Sequence, residues 1–151
     1  MTHSAKKVAI EIRPAEARDI AALARLAGQL GYPSAPEEVR ERFSKIQTAD
    51  DHATFVALAP GDAVIGWIQL CEARSIESDA RAEITGLVVD AEFRSGGAGR
   101  SLVERGEEWA RQRGLAQIGV RSNVVRGRTH VFYERLGYTA TKTQKVFRKR
   151  L

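Results

Sequence analysis

No lysine lies between Lys45 and Lys142, almost the whole middle of a 151-residue chain. That gap excludes a P-loop, whose G-x-x-x-x-G-K-[ST] run needs a lysine directly after its glycines. Cysteine is nearly missing too. Cys71 stands alone, so no internal disulfide can form, which fits a reducing cytoplasm. It follows Leu70 in an apolar run and reads as a core thiol rather than a nucleophile. No run of about 18 apolar residues occurs, so no membrane span is expected. Met1 to Lys7 is short and polar, not an apolar signal segment, and is expected to be a loose tail. No repeat, low-complexity segment or linker divides the chain. His52 beside Asp50 and Asp51 is too sparse a set for zinc, and no metal is expected. With 43% hydrophobic and 28% charged residues, the balance is ordinary for a globular protein. One domain over 1–151 and a cytoplasmic location are the expectation.

The net charge of +5 is unevenly placed. Residues 121–151 carry nine Lys or Arg and one acid, a net of +8, whereas residues 1–120 carry a net of −3. Such asymmetry suits nucleic acid or a polyanionic small ligand. No helix-turn-helix or other nucleic-acid motif accompanies it, and no aromatic-basic interleaving forms a stacking platform. A small anionic ligand is therefore preferred, with no nucleic acid and no membrane as partners.

Periodicity supplies the elements. Val8 to Arg13 alternates like a strand. Ile20, Leu23, Ala24, Ala27 and Leu30 recur at helical spacing, with Gly31 as the stop. Ser34-Ala35-Pro36-Glu37 has capping-box spacing ahead of a second helix with Val39, Phe43 and Ile46 on one side. Strands over 54–59 and 64–71 flank the turn Pro60-Gly61-Asp62 as a hairpin. A longer strand runs from Arg81 to Val89. Leu102, Val103, Gly106, Trp109 and Ala110 share one helix face, with charges opposite, and Arg113-Gly114 ends it. A short strand (116–120), a short helix (129–136) stopped by Gly137, and a last strand (143–147) complete the order. Hairpin and crossover links together imply a mixed α/β fold. The expected sheet is mostly antiparallel, with six to seven strands and about four helices.

The stretch Leu87-Val88-Val89-Asp90-Ala91-Glu92-Phe93-Arg94-Ser95-Gly96-Gly97-Ala98-Gly99-Arg100-Ser101-Leu102 is the most informative. It reads as a strand, a glycine-rich turn and a helix start. The first N–H groups of a helix lack partners within it, and the macrodipole puts a positive end there. Glycines remove the Cβ atoms that would hold a ligand off those donors. The expectation is a phosphate cradle. A dinucleotide fingerprint, G-x-G-x-x-G/A, fails because its third position is Leu102. What remains is Arg94-x-x-Gly97-x-Gly99 after a Leu-Val-Val strand end. That pattern, [QR]-x-x-G-x-[GA], resembles the acyl-CoA pyrophosphate loop of the GNAT N-acetyltransferase superfamily. A second signature of the superfamily is similar to Asn123, Tyr133 and Gly137-Tyr138: an Asn after the next strand, then a short helix whose Tyr precedes x-x-x-G-[FY].

The resemblance implies a GNAT-like sheet and acetyl transfer from acetyl-CoA to a primary amine, with no metal. It implies that Arg94, Ser95, Gly96, Gly97, Ala98, Gly99 and Arg100 hold the pyrophosphate. Backbone groups of Leu87, Val88 and Val89 would bond the pantetheine arm as an added strand would, with Asn123 and Tyr133 completing the cofactor site. The chemistry suits these residue types. A neutral amine attacks the thioester, a tetrahedral oxyanion develops, and the leaving thiolate takes a proton. The resemblance gives that proton to Tyr133 as general acid. Glu83, at the start of the strand leading to the cradle, is the expected base, with Glu72, Asp79 or water as rivals. The acceptor stays open, small molecule or protein. Acids at Asp50, Asp51, Glu72, Glu77, Asp79 and Glu83 favour a cationic amine such as a polyamine or aminoglycoside. A homodimer is compatible. The alternatives are a basic nucleic-acid-binding or regulatory module, or a CoA-binding sensor without catalysis.

Overall fold

A computed structural model describes residues 9–122 and 126–151. The chain divides into two compact units, Met1–Val120 and Arg121–Leu151, taken here in turn.

The first unit is built on one five-stranded sheet with the strand order of the sequence. Strand β1 (Glu11–Pro14) pairs antiparallel with β2 (His52–Leu58), β2 with β3 (Val64–Ala73), and β3 with β4 (Arg81–Val89). Strand β5 (Ile118–Val120) runs parallel to the start of β4. The β2–β3 turn places Gly61 (φ +89°) and Asp62 (φ +64°) in the left-handed region, the conformation that lets a tight hairpin follow the sheet's twist.

Helices α1 (Ile20–Leu30) and α2 (Pro36–Gln47) cover one face of the sheet, and α3 (Ala98–Gln112) covers the other. Strand alternation decides which side chains meet which helix. Val56 and Leu58 join Ile20, Leu23 and Phe43 in one apolar cluster, with Trp67 packed against it. Ile68 and Leu70, of opposite parity to Trp67, face α3. There Gly106 lets the helix approach so closely that a Cβ would fall 2.8 Å from Leu70 Cδ2. Leu26, Ile68, Leu70 and Leu102 are fully buried, each worth roughly 1.5–3 kcal/mol of transfer free energy.

Capping departs from the sequence reading at α2. The N-cap is Ala35, not Ser34, and Pro36 opens the helix. Glu38 Oε1 accepts the Ala35 N–H at 3.1 Å, while Ser34 Oγ donates to the Tyr32 carbonyl at 3.2 Å. Proline's fixed φ suits the first helical position, so it sets the start one residue later than the serine spacing implied. At α1 the expected stop holds: Gly31 takes φ +101° as the cap.

The second unit contains helix α4 (Gly127–Arg135). Gly137 adopts φ +92° just past its end. The Gly137 N–H donates to Glu134 O, and the Tyr138 N–H to Tyr133 O, both at 3.0 Å. Those bonds satisfy carbonyls that the end of a helix leaves unpaired. Residues 139–151 form neither helix nor strand. The expected strand over 143–147 is thus not formed, and the described residues hold five strands rather than six to seven. Thr143, Val146 and Phe147 favour β structure, but a strand needs a ladder partner for its N–H and C=O groups. No described strand pairs with this segment, and Val146 and Phe147 stay exposed. No helix among the described residues is long and apolar enough to cross a membrane.

Candidate active site

Strand β4 ends in an open edge. Its parallel pairing with β5 covers Ala82, Glu83 and Ile84 and then stops. A bulge against Gln69 and Leu70 follows, leaving Thr85 without an opposite residue on β3. Beyond it, the Asp90 N–H donates to Ile65 O at 2.7 Å, which fixes the hydrogen-bonding phase of the ladder. Only alternate residues of an antiparallel pair exchange bonds. Val88 therefore bonds back to Trp67, whereas the N–H and C=O groups of Leu87 and Val89 point to the edge that no described strand covers. Of the three residues expected to bond a pantetheine arm, the ladder leaves two facing outward.

The chain then enters the glycine-rich loop. Asp90 Oδ1 accepts the Glu92 N–H at 3.1 Å, and Ala91–Phe93 make a single 3-10 turn. Two residues of α1 hold this turn from outside. Arg25 Nη1 meets Asp90 Oδ2 at 2.9 Å, and Gln29 Oε1 accepts the Ala91 N–H at 3.0 Å. The Glu92 N–H first, and then Arg25, hold the Asp90 carboxyl below its usual range. Ser95 (φ +71°) and Gly97 (φ +91°) turn the backbone into α3. The first bond of the α3 ladder is Ser101 N–H to Gly97 O at 3.0 Å. The N–H groups of Ala98, Gly99 and Arg100 thus precede the ladder at the positive end of a 15-residue helix. A Cβ on Gly97 would meet nothing within 4 Å. The glycine there is required by backbone conformation, and a Cβ would project into open space.

The acids are engaged by arginines, some near in sequence and one distant. Glu83 Oε1 accepts both Arg81 Nε (3.1 Å) and Nη2 (2.9 Å). Its register partner is Cys71, which shares a sheet face with Gln69 and Trp67 by alternation. Glu72 Oε2 is held by Arg113 at 2.9 Å and Arg74 at 2.8 Å. The Arg113 hydrogen bond chiefly keeps the Glu72 carboxyl below its ordinary range, which weakens it as a proton acceptor. Cys71 is half-buried; burial, with the charges of Glu83 and Asp51, pushes its thiol up and keeps it un-ionised. Among the described residues, no three His, Cys, Asp or Glu side chains gather as a metal site.

Tyr133, on α4, is buried. The Phe132 and Tyr138 rings meet it edge-on at 5.1 and 5.5 Å between centroids. Burial pushes its hydroxyl up to about 12, so it holds its proton throughout the physiological range. Asn123 lies outside the described residues.

One feature of the first unit had no sequence signal. A cavity of about 370 Å³ lies between α1, α2 and the sheet, reaching Gln69 of β3 and Thr85 and Gly86 of β4. Its lining is assembled from five elements, so no local spacing announces it.

The sequence profile of the acetyltransferase (GNAT) family matches residues 18–138. No curated protein matches the chain. A GNAT family acetyltransferase of Staphylococcus aureus is 25% identical, with a TM-score of 0.76 over 94% of this chain and 98% of that one. An aminoglycoside antibiotic 6′-N-acetyltransferase of Acinetobacter baumannii is 18% identical, with a TM-score of 0.84 over 95% of this chain and 99% of that one. An aminoglycoside N-acetyltransferase in complex with CoA is 19% identical, with a TM-score of 0.84 over the full length of both chains. The last two share the fold. With the family profile spanning most of its length, the chain belongs to the acetyltransferase (GNAT) family and is, at the level of class, an acetyltransferase.

Proposed function

We propose that the protein moves the acetyl group of acetyl-CoA to a primary amine of a small molecule by direct attack. The observation that carries this is the continuity of β4 and α3. An open strand edge at Leu87 and Val89 leads through Arg94, Ser95 and Gly96 to the unpaired N–H groups after Gly97. A pyrophosphate suits those donors, and a pantetheine arm, with its two amides, suits the edge. A relative of the same fold bound to CoA supports the choice of ligand.

In this reading the main chain does most of the binding, and Asn123 assists along the arm. Glu83 takes a proton from the incoming ammonium, directly or through water. Arg81 occupies one carboxylate oxygen and orients the other. As the tetrahedral intermediate collapses, the Tyr133 hydroxyl supplies the proton to the CoA thiolate. Its raised value keeps that hydroxyl protonated through the physiological range. The test is thiol release from acetyl-CoA with and without an amine. Release that requires the amine, and yields an equal amount of N-acetyl product, is expected. Binding of acetyl-CoA without transfer to any amine would leave a sensor instead.

A further inference from the structure

We infer that the acceptor is a monoamine on an aromatic or apolar body, bound in the cavity between α1, α2 and the sheet, and not a polycation. This rests on the acetyltransferase reading above. A pyrophosphate at Gly97–Arg100 and a pantetheine arm along Val89 and Leu87 would bring the thioester toward Gly86 and Thr85. Those two residues form one wall of the cavity.

The lining argues for the body of the ligand. Leu23 and Ala27 come from α1, Phe43 and Ile46 from α2, and Trp67 from β3. The Trp67 ring is built into place. Its Nε1 donates to Leu23 O at 3.3 Å. Gly86 makes room for it, since a Cβ there would sit 2.7 Å from Trp67 Cζ3. A fixed indole face beside the reacting end suits an aromatic ring and an ammonium equally. Gln69 lies on the same wall, and its side-chain amide makes no hydrogen bond among the described residues, so its carbonyl can accept from the amine.

Charge argues against a polycation. Among the described residues no carboxylate lines the cavity, and the one charged residue that does is Arg42, whose guanidinium meets Ser34 Oγ at 3.0 Å and Glu38 Oε2 at 3.2 Å. Each further ammonium brought inside would lose its hydration without gaining a carboxylate. Of the acids that favoured a cationic acceptor, Glu72 is held by Arg113 and Arg74, and Glu83, the proposed base, already gives one oxygen to Arg81.

The test compares 2-phenylethylamine with spermidine and kanamycin as acceptors, alongside calorimetry of acetyl-CoA. An advantage of 2-phenylethylamine in kcat/KM of at least roughly tenfold is expected. Ala27→Phe, which adds a ring to the cavity, should raise its KM by a similar factor with acetyl-CoA affinity unchanged. A readout independent of turnover uses Trp109→Phe, which leaves Trp67 as the only tryptophan of the two. Titration of 2-phenylethylamine should then change Trp67 fluorescence. Preference for spermidine or kanamycin overturns the inference and leaves the acetyltransferase reading standing. So does tight acetyl-CoA binding with no Trp67 response. Failure of acetyl-CoA to bind overturns the acetyltransferase reading itself.

Discussion

Tyr133 sets the sharpest residue-scale expectation. Tyr133→Phe keeps the ring and its edge contacts with Phe132 and Tyr138 but removes the proton. Turnover should fall by roughly 10²–10⁴-fold, the usual range for a lost general acid, with acetyl-CoA affinity nearly unchanged. Because burial holds the hydroxyl at about 12, it does not titrate between pH 6 and 10. The pH profile of the variant should therefore keep its shape over that range while dropping in height. A variant profile that loses an alkaline limb below pH 10 would show that the Tyr133 hydroxyl itself titrates there. Glu83→Gln should lower kcat and shift the optimum upward, since the amine must then lose its proton without a carboxylate. Unchanged activity in that variant would hand the base role to water. Residues fixed by backbone conformation were legible in the sequence. Gly31, Gly97 and Gly137 all stop or start a helix at positive φ, and their spacing shows it. The engagement of Glu72 by Arg113 was not legible, because 41 residues separate the pair and only the tertiary fold brings them together.

At the scale of elements, β4 is the part on which the proposed cofactor site depends, and Gly66 of β3 packs closely against its backbone. A Cβ at Gly66 would fall 2.8 Å from the Val88 carbonyl oxygen. That oxygen belongs to backbone, so β4 itself must shift to accept it. Gly66→Ala should cost about 1–3 kcal/mol and also weaken acetyl-CoA, because Leu87 and Val89 move with Val88. Denaturant unfolding and calorimetry on the same variant check both effects. Lost stability with full cofactor affinity would show that the edge does not bind the arm. The sequence pattern revealed the four α-helices and, with shifted ends, the five strands of the described residues, but neither 3-10 turn. It overreached at 143–147, where residue preference was present but a ladder was missing. It also placed the α2 cap one residue early, because Pro36 outweighed Ser34.

For the whole molecule, charge organises the account. Burial alone would raise the Asp19 carboxyl. Arg13, at 2.7 and 2.9 Å, and the Glu16 N–H outweigh that and hold it below its usual range. A carboxyl depressed in the folded state stabilises it above its unfolded value, near ~3.9, and loses that contribution as pH falls through the folded value. Stability should be level near neutrality and decline below about pH 4. Asp19→Ala should cost roughly 3–5 kcal/mol, because it strands a guanidinium in a part-buried site. Thermal unfolding across pH measures both. The basic residues 121–151, net +8, coincide with the second compact unit. Any DNA binding there should be weak and fall steeply with salt; tight, sequence-selective binding at physiological salt would favour a nucleic-acid role. The glycine-rich turn between β4 and α3 could be read from the sequence because its signal is local. The cavity between α1, α2 and the sheet could not, since its lining runs from Leu23 to Gly86. The central claim is that main-chain donors after Gly97 hold acetyl-CoA. Calorimetric titration of acetyl-CoA into the protein and into Gly97→Val tests it most directly. The substitution strains a backbone at φ +91°, a cost of roughly 1–2 kcal/mol, and sets a side chain over the donors. The account predicts a folded variant by circular dichroism with acetyl-CoA binding lost. A folded Gly97→Val protein with wild-type affinity would contradict it.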